Sequence, residues 1–297
     1  MNNFLEGNMY KLIALDLDGT LLNSYGEISA ENKKAIQYAL DKGVNVILAS
    51  GRDPQTMRKI SLDLGIHNYL IAGNGASIYD IQQDENIYER YIPQKKALKI
   101  IQMCKENTIF FNVYTDKGII TESLNYNVKV FNSENTHKPE EKQTNIEIVT
   151  DIYEYVKNTK LNILKIIICD DSQIIFNNII HKMKKISGIH VLDVEHMSKK
   201  MMKIGTEEVE VEYFYTEVSR QDVDKWNAIK HLLSILGIQK EEVICIGDNV
   251  NDKTMVENAG LGIAMGNSAL ALQKIGAETT KSNNEDGVAM AIYKHLQ

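Results

Sequence analysis

The chain has 297 residues, 43% of them hydrophobic and 25% charged, with a formal net charge of -7. That length suggests about two domains at roughly 150 residues each. The acidic balance argues against a nucleic-acid partner, and no apolar run approaches the ~18 residues of a membrane span. An anionic small substrate stays open, because a metal and a few local cations can reverse the field inside one pocket. Cys104, Cys169 and Cys245 are odd in number, far apart and in no metal-ligand spacing, which reads as reduced, buried thiols in a cytoplasmic protein. The start, MNNFLEGN, has no basic or apolar signal region; it reads as a tail, unless Met9 is the true start.

Along the first part of the chain, strands and helices alternate. Leu12–Leu15 is a short apolar run ending at Asp16. Ser29–Leu40 has helical spacing at Ala35, Ile36, Ala39 and Leu40. Val44–Ala49 is a second strand, ending at Ser50-Gly51-Arg52, and Asp53-Pro54 reads as a helix cap followed by proline at the first helical position. Tyr69–Ala72 is a third strand, before Gly73-Asn74-Gly75. The middle, residues 85–212, differs: helices are expected near Pro93–Lys105 and Ser172–Ile186, strands at Ile109–Tyr114 and Ile163–Cys169, and none ends in an Asp- or Gly-rich turn. Lys199–Glu212 is charged and reads as a hinge or surface excursion. The C-terminal part returns to the first pattern, with a helix over Asp222–Leu236 carrying the core residue Trp226 and strands at Val243–Ile246 and Leu261–Ala264. Continuous apolar strands alternating with amphipathic helices predict an α/β protein: a Rossmann-like parallel sheet covered on both faces (1–84 and 213–297), interrupted by an inserted α/β cap (85–212).

Ligands of such sheets bind at the carboxyl ends of the strands. Asp16, Ser50, Asn74 and Asp248 each end a predicted strand, so distant segments converge on one crevice. In Asp16-Leu17-Asp18-Gly19-Thr20 the first carboxylate can attack phosphorus, and the second can protonate the leaving oxygen. In Gly247-Asp248-Asn249-Val250-Asn251-Asp252, hard oxygen donors crowd a strand end in the manner of a magnesium site. Ser50-Gly51 can offer a hydroxyl and amide groups to phosphate oxygens at a helix N-terminus. Lys225 lies near a helix start, where the macrodipole disfavours a cation unless an anion is close.

Together Asp16–Thr20, Ser50-Gly51-Arg52, a downstream lysine and Gly247-Asp248-x-x-Asn251-Asp252 resemble the four ordered motifs of the haloacid-dehalogenase superfamily. Asn74-Gly75-Ala76, Asn258–Asn267 and Asn284–Ala289 resemble its Cof-type sugar-phosphatase branch, subclass IIB. The resemblance implies a Mg2+-dependent hydrolase of small phosphorylated metabolites, such as sugar phosphates, working through an aspartyl-phosphate. It implies Asp16 as nucleophile and metal ligand, and Asp18 as acid/base with its carbonyl on the metal. Ser50, Gly51, Lys225 and Asn251 would hold phosphate, Asp248 the metal, and Asp252 would support it from behind; Arg52 and Asn74 are further substrate-binding candidates. The family's Lys-Gly is here Lys225-Trp226, and Arg220 is the alternative cation. The cap would choose the substrate. A sugar phosphomutase and a phospho-aspartate signalling switch are the rival readings.

Overall fold

A computed structural model of the chain describes residues 9–136, 143–192, 198–204 and 207–297. The tail ahead of Met9 lies outside the described residues. The first unit begins with β1 (Leu12–Leu15), α1 (Ala30–Asp41), β2 (Asn45–Ala49), α2 (Pro54–Asp63), β3 (Tyr69–Ala72), β4 (Ser77–Asp80) and β5 (Glu85–Glu89). A second unit follows, with α3 (Gln94–Glu106), β6 (Phe110–Thr115), β7 (Gly118–Thr121), α4 (Tyr126–Asn135), β8 (Ile146–Ile148), α5 (Ile152–Asn158), β9 (Ile163–Asp170), α6 (Gln173–Met183), β10 (Ile189–Val191), β11 (Ser198–Ile204) and β12 (Glu207–Arg220). The chain then returns to the first unit through α7 (Lys225–Leu236), β13 (Val243–Gly247), α8 (Lys253–Asn258), β14 (Leu261–Ala264), α9 (Leu270–Gln273), β15 (Glu278–Thr279) and α10 (Gly287–His295).

Strand order in the first unit is β15-β14-β13-β1-β2-β3-β4-β5, parallel from β15 to β3. The expectation of a parallel sheet fails at one edge, where β4 and β5 run antiparallel. The turn Gly73-Asn74-Gly75 is too short for a parallel crossover, so it closes a hairpin. Alternation along the strands divides the apolar residues between two faces. Ile13, Leu15, Val46, Leu48, Ile244 and Ile246 pack with α1 and α10 residues such as Ile36 and Ile292. Leu12, Ala14, Ile47, Ala49, Val243 and Cys245 pack with Trp226, Ile229 and Leu233 of α7. Both faces are therefore apolar, and the short strands read as unbroken hydrophobic runs.

The chain divides into two compact units, one of residues up to Glu89 plus Asp224–Gln297 and the other of Arg90–Val223. These bounds differ from 85–212. Glu85–Glu89 belongs to the first sheet, and β12 carries the second sheet through Arg220. Within the second unit the order is β10-β12-β9-β6-β7-β8, with β11 paired to β12. One face packs α3, α5 and α6 residues such as Ile101, Val156 and Phe176 on Ile166 and Ile168. The opposite face gathers Phe110, Tyr114, Tyr126, Tyr213 and Tyr215. Lys199–Glu212, expected as a hinge or excursion, is largely a hairpin: Lys199 stands opposite Glu212 and Lys203 opposite Glu208. Its Gly205 lies outside the described residues.

Candidate active site

Parallel neighbours β13, β1, β2 and β3 end at one edge of the first sheet, and their following residues carry the candidate groups. Asp16 continues β1, its amide donating to the Ile246 carbonyl at 3.0 Å, and Ser50 continues β2, its amide donating to Ile71. Gly19, at φ +84°, turns the chain after Asp18; an added Cβ would meet the Asp248 carboxylate at 2.4 Å. Glycine there lets the turns after β1 and β13 touch.

Lys225 is the first residue of α7, whose cap Asp224 accepts a hydrogen bond from the Asn227 amide. The Lys225 ammonium is fully buried and donates to Asp16 Oδ1 at 2.5 Å and to Asp252 Oδ1 at 2.6 Å. Two anions thus offset the unfavourable position of a cation at a helix N-terminus. Arg220, the alternative cation, instead pairs with Asp222 inside the second unit.

Carboxylate oxygens of Asp16, Asp248 and Asp252 lie within 4.8 Å of one another. Burial and the Asp252 charge hold Asp16 well above the ordinary carboxyl range, although Lys225 opposes them. Burial and Asp252 likewise raise Asp248 to about 6, against a hydrogen bond from Thr20. Burial pulls the Lys225 ammonium down, but Asp16 and Asp252 outweigh it, and its pKa ends above the ordinary lysine value. Lysine therefore stays charged between Asp16 and Asp252, with the Asp248 carboxyl beside them. The negative excess and hard oxygen donors fit a small divalent ion. Asp252 is the least suited to direct ligation: Lys225 takes one oxygen, and the Asp248 and Asn249 amides both donate to the other at 3.0 Å.

The remaining candidates form two smaller groups. Asp18 is paired with Arg52, at 2.9 Å to Nε and 2.6 Å to Nη2. Ser50 Oγ accepts from the Arg52 amide at 3.3 Å, and Gly51 lies between them, half-buried. The Asp53 carboxylate caps α2 and accepts from the Thr56 amide, which occupies one of the amides at this helix N-terminus. Asn74 adopts φ +57°, which asparagine tolerates better than most residues, and its amide donates to the Ser50 carbonyl. Its side-chain oxygen accepts from Asn251 Nδ2 at 3.0 Å. Asn74 thus ties the turn after β3 to Ser50 and Asn251.

Two further residues, Thr20 and Asn267, join the site. Buried Thr20 donates to Asp248 Oδ1 at 2.8 Å. Asn267 donates to the Gly19 carbonyl at 2.8 Å and accepts from the Asn283 amide, clamping the turn after β1. Asn267 follows β14, so the strand-end criterion that found Asp248 could have found it.

Residues 13–292 match the haloacid dehalogenase-like hydrolase family. The phosphatase YwpJ of Bacillus subtilis (strain 168) is 32% identical, over 96% of this chain and 99% of its own. The 5-amino-6-(5-phospho-D-ribitylamino)uracil phosphatase YcsE of the same organism is 31% identical, over 95% of this chain and 94% of its own. A haloacid dehalogenase-like hydrolase structure from Bacteroides thetaiotaomicron superposes with a TM-score of 0.78 at 28% identity, covering 96% and 99% of the two chains. The chain belongs to the haloacid dehalogenase-like hydrolases, in their Cof-type phosphatase branch.

Proposed function

We propose that the chain hydrolyses small phosphomonoesters through a phosphate ester formed on Asp16, with magnesium bound. The observation that carries this reading is the buried Lys225 clamped between Asp16 and Asp252 at the strand ends, with Asp248 beside them. An Asp16 oxygen attacks phosphorus, the ester P–O bond breaks, and the leaving oxygen takes a proton from Asp18. Water then attacks the same phosphorus and gives its proton to Asp18. The P–O bond to Asp16 breaks, and inorganic phosphate leaves. Lys225, Ser50, the Gly51 amide and Asn251 hold the transferring oxygens, where fixed donors contribute most. Asp16, Asp248 and the Asp18 carbonyl would hold magnesium, which when bound offsets charge on the carboxylate and on the phosphoryl group.

The substrate class rests on the relatives, one of which is named for a small phosphorylated metabolite. Residues 90–223 carry none of the groups assigned to the chemistry, and we assign them the choice of leaving group. Three free, buried thiols suit a reducing, cytoplasmic setting. The test is phosphate release from a panel of phosphorylated metabolites with magnesium. Asp16→Asn should abolish turnover while the Trp226 emission stays native, and acid quenching of the wild type should trap one phosphate per chain. A folded Asp16→Asn enzyme turning over near the wild-type rate overturns the assignment.

A further inference from the structure

We propose that Arg52 is a positioning residue for Asp18: its guanidinium holds both carboxylate oxygens and sets the direction in which the acid/base group faces. The inference rests on the reading of Asp18 as the group that moves the proton.

Asp16 and Asp18 are two residues apart, yet they meet different surroundings. Asp16 is buried and held by Lys225. Asp18 is exposed over 58% of its side chain and is held by Arg52 through both oxygens. Each carboxyl of the motif thus has its own cation. An exposed ion pair contributes only about 0–1 kcal/mol to folding, so stability is a poor reason for this one. Its geometry is informative, because a planar fork on two carboxylate oxygens fixes orientation in a way that a point charge does not.

The Arg52 backbone is anchored to match. Its amide donates to Ser50 Oγ at 3.3 Å, and its carbonyl accepts from the Gly73 amide at 3.0 Å. These bonds tie it to the ends of β2 and β3, so the guanidinium is delivered from a fixed base. A hold on both oxygens narrows the rotamers open to a carboxyl on an exposed turn. Misplacing a proton-transfer group by about 1 Å is enough to cost on the order of 100-fold in rate.

Leaving-group dependence separates this role from direct phosphate binding. An activated aryl oxide departs without a proton, whereas an alkoxide needs one. The phosphoryl group is common to both esters. The experiment compares Arg52→Ala and Arg52→Lys with wild type on p-nitrophenyl phosphate and on an alkyl phosphate that the wild type hydrolyses, in magnesium. For both variants, kcat/KM on the alkyl ester should fall about tenfold or more. On the aryl ester kcat/KM should fall by no more than about a third of that factor, while its kcat falls because hydrolysis of the phospho-enzyme still needs Asp18 as base. Equal losses of kcat/KM on both esters would show that Arg52 serves the phosphoryl group and overturn the proposal. Full recovery by Arg52→Lys would show that charge suffices, and would overturn it too. Asp18→Asn is the reference. If that variant shows no leaving-group dependence, the reading of Asp18 itself fails. If it does and the Arg52 variants do not, only the role of Arg52 fails. The pair is exposed, so the variants should fold, and Trp226 emission checks this.

Discussion

Replacing Lys225 with methionine tests the electrostatic account of the site most directly. The ammonium is fully buried and touches Asp16 and Asp252 at 2.5 and 2.6 Å, and the surrounding carboxylate oxygens lie within 4.8 Å of each other. Methionine keeps much of the volume and removes the only cation contacting this trio among the described residues. Breaking a buried pair by removing one partner costs about 3–5 kcal/mol, because the other charge is left uncompensated. At about 2–4 °C per kcal/mol for a unit of this size, the first unit should melt roughly 6–20 °C lower in chelator. A charge-assisted hydrogen bond is worth about 1.5–3 kcal/mol. In an Asp16→Asn background one of the two is already weakened, so Lys225→Met should cost less there by about that amount. Trp226 is the only tryptophan and lies in the core of the first unit, so its emission during urea unfolding follows the relevant transition. A Lys225→Met protein within about 0.5 kcal/mol of wild type, or additivity of the two changes within that margin, would refute the reasoning.

The other predictions concern metal, backbone and unit organisation. Asp248→Ala should weaken magnesium binding in calorimetry and lower kcat by about 100-fold or more, and Thr20→Val should act in the same direction but less, since it only releases Asp248. Calcium, which prefers more ligands and longer bonds, should inhibit in a competition assay against magnesium. Gly75→Ala should lose roughly 2 kcal/mol or more in urea unfolding: φ is +99° and the new Cβ would lie 2.2 Å from the Asp224 carbonyl. Gly26→Ala, also left-handed but in open space, should cost only about 1 kcal/mol. Replacing residues 90–223 with a short linker should leave a unit with its own two apolar clusters folded by Trp226 emission. It should still hydrolyse an aryl phosphate and lose the ranking among metabolites; an unchanged ranking would place specificity in the first unit.

Much of this was legible in the residues alone. Apolar runs ending in Asp16, Ser50, Asn74 and Asp248 carry the parallel core, because a strand covered on both faces has no polar alternation and its first polar residue marks its end. Asp53-Pro54 announced the start of α2, and the structure begins the helix there. Local chemistry determines such features. The antiparallel edge of β4 and β5, the hairpin at Lys199–Glu212 and the transfer of Glu85–Glu89 to the first sheet were not legible, since each depends on which strand lies alongside and not on a strand's own pattern. The helix over Asp222–Leu236 starts at Lys225, three residues late, because Asp224 spends its side chain as the cap. Site pairings belong to the same class. That Lys225 and not Arg220 meets Asp16, that Thr20 orients Asp248, and that Arg52 reaches back to Asp18 are contacts between segments 34 to 228 residues apart. The sequence by itself determined which residues stand at strand ends and what chemistry they can perform. Only the tertiary structure decided which of them touch, because hydrogen bonds and ion pairs depend on ångström-scale distances that the order of strands in the sheet sets.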